Sequence, residues 1–413
     1  MATSTKKHRH RLLSNSNEWF SGKKIITYII SVIIVIGVFV VGVDVGSGRI
    51  DMHFGNSQNS QLPSQLNFSS VNQVYQILKS QYDGKLTTAQ LLDGLKTGLA
   101  NSLSDPYTEY FNAAQAKTFN SELQGSFSGI GAELGENSNN EIEVIAPLAG
   151  TPAAKAGLQP QDIIVSVNGV STSSMTIDSA VDDIRGPQGT KVTLQIVRGQ
   201  TPMTFKITRE TITVPSVNSK ILPGNIGYMQ ITQFTNDTSS LAQQAAQKFK
   251  QAGVKSVILD LRDNPGGEVD AAVNVSSLWL DASQTIMVEK TGNVVVQTYV
   301  STGNDLLKGI PTVVLVNGGS ASASEITASA LHDNNDAYII GTQTYGKGVV
   351  QQINNLNNGG ELKVTIAHWY RPDGKSINHI GITPDKVVTI TATQVRAGQD
   401  PQETAALTYL QSQ

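Results

Sequence analysis

Asn317-Gly-Gly-Ser-Ala-Ser-Ala-Ser-Glu325 and, further on, Thr344-Tyr-Gly-Lys-Gly-Val-Val-Gln351 are the two halves of the stretch on which the reading of this chain turns. The first half follows an apolar run, Thr312-Val-Val-Leu-Val316, and opens a segment of small residues with helical character. A strand, a turn and then a helix lift a serine off a sheet edge and point its hydroxyl at solvent. Ser320, Ser322 and Ser324 are the candidates. The second half follows another apolar run, Ala337-Tyr-Ile-Ile340, and sets Lys347 between glycines, which leave its amine room to approach another backbone.

A serine hydroxyl is a poor nucleophile until a base takes its proton. To act as that base Lys347 must be neutral, with its pKa lowered from about 10.4 by burial and not by an acidic neighbour. Tyr345, Val349 and Val350 flank it, and no carboxylate adjoins it in the sequence. From spacing alone the blander reading, a Gly-rich loop with a solvated lysine, is the better supported of the two.

Gly319–Glu325 followed by Tyr345–Gln351 resembles the carboxyl-terminal processing peptidases, also called tail-specific proteases. The resemblance implies a Ser-Lys dyad completed by a glutamine, with Ser322 as nucleophile, Lys347 as base and Gln351 as the orienting amide. On one strand Lys347 and Gln351 would share a face. Ser320 then falls near the helix N-cap and Ser324 in the first turn, both structural.

Outward from this stretch, the 413 residues suggest two or three domains. A formal net charge of -3 gives no sign of a nucleic-acid partner. With no cysteine, disulfides and thiolate sites are excluded. Lys6, Lys7, Arg9, Arg11, Lys23 and Lys24 precede an apolar run from Ile25 to Val45, and only Arg49 lies just after it. The run is long enough to span a bilayer, and the charge asymmetry puts the N-terminus in the cytoplasm and the rest outside. A cleaved signal peptide is the rival, but the run is long for one and no Ala-x-Ala site follows. Val45 to about Gln65 reads as a tether.

From Phe68 to about Gln124 the apolar spacing is helical, with Thr87 and Thr88 as caps and Asp105-Pro-Tyr-Thr-Glu-Tyr-Phe111 as a break. This region reads as a helical cap, with a homodimer contact as an added role. Ser126 to about Thr213 alternates short β-rich runs with turns and one helical stretch, Ser179–Ile184. Its words, Phe127-Ser-Gly-Ile-Gly-Ala132, Pro147–Leu158 and Asp162–Gly169, resemble a PDZ domain of the bacterial protease type. That resemblance implies that Phe127, Gly129, Ile130, Gly131 and Ala132 receive a peptide C-terminus by strand addition. Arg185 could meet the carboxylate, though a surface ion pair is its commoner role.

Beyond the PDZ-like part, Gly227–Ile231, a helix from about Ser239 to Gln251, and Val257–Leu261 imply right-handed crossovers in an α/β sheet. Arg262-Asp-Asn-Pro-Gly-Gly267 then exposes amides at a strand end. The family resemblance implies an oxyanion hole from the N–H groups of Gly266 or Gly267 together with Ala323. Asp263, Glu268 and Asp270 cluster there but better suit a helix N-terminus than a metal site, and no cofactor is expected. His332 and His368 read as structural, and His379 falls in a loop before Gly381-Ile-Thr-Pro-Asp385. Asp400, Pro401 and Glu403 form the capped start of a closing helix whose partner surface lies in this chain or a second one.

The fold expected is thus α+β and α/β in several parts. A cytoplasmic tail (1–24) and transmembrane helix (25–45) lead through a linker (46–65) and helical cap (66–125) to a PDZ β-sandwich-like domain (126–213). An α/β peptidase core (214–395), crotonase-like by the resemblance, and a C-terminal helix (396–413) complete it. The expected activity is that of a membrane-anchored, extracytoplasmic serine endopeptidase guided to substrate C-termini by its PDZ domain. A non-catalytic PDZ adaptor and a Ser-His hydrolase are the competing classes.

Overall fold

The computed structural model describes residues 66–413, apart from Leu86, Ser138, Ala392, Val395 and Arg396. The apolar run Ile25–Val45 lies outside the described residues; among those described, no helix is long and apolar enough to cross a membrane. The helix Ser69–Gln81 forms a unit separate from Leu86–Gln413 and keeps Val74, Ile77 and Leu78 exposed.

The main sheet has six strands in the order Val217–Leu222, Ile226–Ile231, Ser256–Asp260, Thr312–Val316, Tyr338–Gly341, Lys386–Val387. The first pair is antiparallel and every later pair parallel. Parallel neighbours need crossovers, and the helices Thr238–Gln251, Val269–Ser276 and Ala323–Asp333 lie on the connections. Both faces of this sheet are covered, which is why Val257–Leu259 and Thr312–Val316 are unbroken apolar runs and not alternating ones. The period of two still sorts their side chains. Val257, Leu259, Val314 and Val316 pack with the three crossover helices, while Ile258, Val313 and Leu315 pack with Ala406 and Leu410.

The closing helix Pro401–Gln411 therefore finds its partner surface in this chain. Asp400 caps it, accepting from the N–H groups of Gln402 (3.0 Å) and Glu403 (2.9 Å). Glu403 does not return the bond expected of a capping box; Asp400 is instead drawn to Arg262 at 2.8 Å.

A second sheet runs Glu109–Phe111, Glu361–Tyr370, Thr285–Thr291, Val294–Val300, with Val349–Asn355 on the other side of Glu361–Tyr370. Asp105–Phe111 is thus more than a helix break. Its last three residues are a strand registered Glu109 to Lys363 and Phe111 to Glu361. Helices Thr88–Asn101, capped by Thr87, and Ala113–Leu123 flank it.

The PDZ-like part is a five-stranded antiparallel sheet, with one short added strand, around its own apolar core of Val144, Ile164, Leu194 and Ile196. Its helix is Ile177–Ile184, begun by Thr176, whose hydroxyl accepts from Ser179 N–H at 3.3 Å. Ser126–Gly129 pairs outside that sheet, with Glu210–Thr213.

Candidate active site

Two parallel strands, Ser256–Asp260 and Thr312–Val316, end side by side, and each runs into a turn that needs the other. Asn317 Nδ2 donates to Asp263 Oδ1 and Asp263 N–H to Asn317 Oδ1, both at 2.9 Å. Ser320 Oγ donates to the Leu261 carbonyl (2.7 Å) and Ser324 Oγ to the Asn264 carbonyl (2.9 Å). These two serines are fully buried stitches between the turns. Ser320 is not the helix cap: that helix begins at Ala323 and its cap residue is Ser322.

Ser322 has φ 53° and ψ -114°, a conformation that few non-glycine residues adopt and that costs about 1–3 kcal/mol. The surrounding bonds hold it there. Gly266 lies directly against it: a Cβ at Gly266 would come within 2.7 Å of Ser322 Cβ and of the Ala321 carbonyl oxygen.

Glu325 joins the two halves of the signature stretch. Fully buried, it accepts from Ser322 N–H (2.9 Å) and Lys347 N–H (3.0 Å) through Oε2. Its Oε1 accepts from Thr344 Oγ1 (2.5 Å) and Gly346 N–H (2.8 Å). Burial pushes this carboxyl above the ordinary range, against those four bonds. Ser-x-x-Glu is the spacing by which a carboxylate reaches back to its helix cap, so the sequence carried a signal for this residue. Its grip on the lysine loop comes only from the fold.

Lys347 precedes the strand Val349–Asn355 and does not lie on it, and a register shift separates Val350 from Gln351. The shared strand face expected for Lys347 and Gln351 is therefore absent, yet both line one cavity with Ser322. The Lys347 backbone is pinned from both sides, by Glu325 at its N–H and by Trp369 Nε1 at its carbonyl (3.0 Å). Its Nζ stands 5.3 Å from the centre of the Tyr107 ring. Burial, and after it the charge of Lys363, lowers the Lys347 amine below the ordinary lysine value; the Glu325 charge opposes them. The acid missing beside Lys347 in the sequence is supplied by the fold, bound to backbone, and burial outweighs it.

The cavity, about 350 Å³, is also walled by Gly266, Gly267, Phe119, Ile326 and Trp369. Gly266 N–H is given to Asn264 Oδ1 at 2.9 Å. Gly267 N–H and Ala323 N–H have no acceptor among the described residues. Gly267 tolerates no Cβ, which would fall 1.9 Å from the Phe234 carbonyl oxygen. Gln351 Nε2 donates to Thr365 Oγ1 at 3.4 Å; no bond to Lys347 is formed.

Among the described residues no histidine lines this cavity. His332 sits at the far end of the helix that Ser322 caps, about 15 Å along its axis. His368 and His379 are exposed. Of the acidic residues near the turn, Asp263 is committed to Asn317, Asp270 sits in a helix first turn, and Glu268 lines the cavity.

In the PDZ-like part, Ile130 is a core residue and its carbonyl accepts from Ala153 N–H at 2.8 Å. Gly131 takes φ 73°, pressed on Thr151, and gives its carbonyl to Leu148 N–H and Thr151 Oγ1. The Ile130 and Gly131 N–H groups have no acceptor among the described residues. Ala132 begins the next strand, as Gly129 ends the previous one. Arg185 forms the surface ion pair anticipated for it, reaching Glu122 at 3.4 Å, with its guanidinium 4.9 Å from the Phe127 ring centre. Phe127 and Arg185 line a second cavity, which shares Gln233 and Pro265 with the first.

Sequence reasoning missed Lys363 at the cavity and the Tyr107 ring beside the Lys347 amine. Both arrive through the pairing of Glu109–Phe111 with Glu361–Tyr370, more than 240 residues apart in the chain. No local pattern announces such a contact.

Comparison with known proteins bears on the same regions. Residues 225–388 match peptidase family S41, 120–197 match the PDZ domain, and 46–115 match the N-terminal domain of the activating protease CtpB. The carboxy-terminal processing protease CtpA of Bacillus subtilis (strain 168) is 40% identical over 337 residues, 80% of this chain and 72% of that protein. A probable CtpA-like serine protease of Staphylococcus aureus (strain MRSA252) is 40% identical over 327 residues; the match covers 78% of this chain and 65% of the relative's length. Among solved structures, a photosystem II D1 C-terminal processing protease superposes with TM-score 0.50 at 29% identity, covering 78% of this chain and 87% of that one. A putative S41 protease from Bacteroides fragilis NCTC 9343 shares the fold, with TM-score 0.55 at 17% identity, over 85% of this chain and 99% of the other. The likeness first carried by two short segments thus extends through most of the chain, and this chain belongs to peptidase family S41, the serine peptidases of the carboxyl-terminal processing type.

Proposed function

We propose that the chain is a membrane-anchored endopeptidase acting outside the cytoplasm, with Ser322 as nucleophile and Lys347 as general base. The observation that carries this reading is one cavity lined by Ser322, Lys347 and Gln351, whose lysine is lowered by burial. Lys347 Nζ takes the Ser322 proton as Oγ bonds the scissile carbonyl carbon. The oxyanion receives hydrogen bonds from Gly267 and Ala323, the two uncommitted N–H groups at the nucleophile. Gly266, its N–H held by Asn264, shapes this corner. The C–N bond then breaks as Lys347 passes its proton to the leaving amine. Water attacks the acyl-enzyme, Lys347 again taking the proton, and frees Ser322. Gln351 keeps the amine aligned when substrate closes the cavity.

The PDZ domain receives the substrate C-terminus at the Ile130 and Gly131 amides, beside Gly129 and Ala132. Arg185 and Phe127 bound the path towards Ser322, and the wall common to both cavities supports this route. The run Ile25–Val45, with its basic flank, serves as the anchor. The pairing of His332 with acids away from the cavity disfavours a Ser-His hydrolase.

One experiment addresses the whole reading. Intact cells carrying the full-length chain are given peptides that differ at their last residues, and products are read by mass spectrometry. Wild type is expected to cleave peptides outside the cell with dependence on the chain end, and Ser322→Ala to bind them without cleavage. Binding without turnover by the wild type would leave a PDZ adaptor, and turnover seen only after lysis would contradict the orientation.

A further inference from the structure

Lys363 and Glu268 are charged side chains lining the cleft to which the dyad mechanism gives no role, and of the two Lys363 is the cation. It lies in the middle of the strand Glu361–Tyr370, between Glu109 on one neighbouring strand and Ile353 on the other. Directly opposed residues share a face of the sheet, so Lys363, Ile353 and, two positions along, Thr365 and Gln351 stand together. Lys363, Ile353 and Gln351 line the cavity that contains Ser322.

The ammonium is held in place. Its Nζ is 5.0 Å from the centre of the Phe111 ring and 5.4 Å from that of Phe119, and its side chain is only 19% exposed. An ammonium has three N–H donors. One goes to Glu109 Oε2 at 3.1 Å, and Glu109 is half exposed, so water shares that carboxylate. No other hydrogen bond is made by Lys363 Nζ among the described residues. Once Lys347 is neutral, as catalysis requires, Lys363 is the one cation lining the cavity among the described residues. The cavity is sized for side chains of one or two residues, and its Phe119, Val350 and Trp369 walls are apolar.

We propose that Lys363 is a specificity-determining residue that binds a carboxylate of the substrate within about three residues of the cleaved bond, its apolar neighbours packing the adjoining stem. The inference rests on the reading of Ser322 and Lys347 as the catalytic pair. The carboxylate is either an acidic side chain or the free end of the chain, and the two sources are separable.

The test uses the full-length chain in detergent with two sets of otherwise identical peptides. In one set Glu replaces Gln at each position flanking the cleavage site; in the other the C-terminus is a free acid or an amide. Wild type is expected to prefer the carboxylate member about tenfold in kcat/KM at one position, the scale of one charge-assisted hydrogen bond in a shielded site. Lys363→Gln reduces that ratio to within about twofold, and Lys363→Glu reverses it in favour of a Lys-containing peptide. A Lys363-dependent ratio in the first set assigns the carboxylate to a side chain, and in the second set to the chain end. Because ratios are compared within one variant, any effect of Lys363 on Lys347 cancels. Ratios near one in the wild type, or ratios unchanged in Lys363→Gln, overturn the proposal while leaving the dyad intact. Cleavage that survives Ser322→Ala overturns both.

Discussion

The two ends of the helix Ala323–Asp333 treat their ionisable groups in opposite ways. At the C-terminal end His332, Asp333, Arg371 and Asp385 form a paired cluster. His332 Nδ1 meets Asp333 at 2.9 Å and Nε2 meets Asp385 at 3.1 Å, while Arg371 closes on Asp333. Against the burial that would push it up, hydrogen bonds from His332 and Arg371 hold the Asp333 carboxyl at about 2. Asp333, and after it Asp385, raise His332 above its ordinary value, against burial. At the N-terminal end Lys347 is surrounded by cover, with a like charge nearby, and Glu325 is satisfied by dipoles and not by an ammonium. Pairing fixes a charge and makes it structural. Burial without pairing makes the charged form unfavourable, and a lysine that gives up its proton is a base.

Removing Lys347 breaks the comparison most directly. Lys347→Met should reduce kcat by about a thousandfold or more, on the scale of general base catalysis, in a steady-state peptide assay. It should also raise Tm at neutral pH. The sign follows from linkage: with the folded value below the unfolded one, the unfolded chain holds the extra proton between the two values. The penalty is absent above about 10.4, grows as pH falls from there to the folded value, and is complete below it. The wild-type pH–rate profile should accordingly rise with a midpoint below the ordinary lysine range. A midpoint at that range, or a fall in Tm, would show the amine to be solvated and paired.

Glu325→Gln should have the next largest effect. An amide cannot accept four bonds, and its NH2 would face donors, leaving buried N–H groups unmet at about 1–3 kcal/mol each. Activity should fall about ten- to a hundredfold and Tm should drop, since Ser322 and Lys347 lose their common tie. Unchanged kcat at the wild-type pH midpoint would make Glu325 a bystander.

The smallest effect belongs to the paired end. His332→Gln should leave kcat within about twofold of wild type. The folded value of His332 lies above its unfolded value, so the stability of its charged pair is complete below about 6.5 and is lost as pH rises through the folded value. Tm of the variant should thus trail the wild type at pH 5.5 and approach it at pH 9. A large loss of activity in His332→Gln with Lys347→Met unaffected would invert the assignment.

Legibility in the sequence followed the range of the contacts. Local pattern was enough for the crossover strands and helices and for Thr87 and Asp400 as caps, and the resemblance singled out Ser322 and Lys347, which line one cavity. It failed where distant segments meet. Asp105–Phe111 read as a break because its strand partner lies at Glu361–Lys363. Residue type alone puts Lys347 and Gln351 on one strand, because neither the strand's start at Val349 nor the bulge before Gln351 leaves a signature in it. Gly266 and Gly267 were equivalent on paper until the Asn264 side chain claimed the first amide.

What the sequence determined alone was the menu: which serine and lysine were available, where apolar runs would form strands, and which family shares the pattern. These are properties of neighbours within a few residues, fixed by backbone geometry and solvent aversion. The state of Lys347, the clasp of Glu325, the placing of Lys363 at the cleft and that of the Tyr107 ring beside the Lys347 amine were decided by tertiary structure. Proton affinity depends on what lies within several ångströms in space, and only folding brings those groups together.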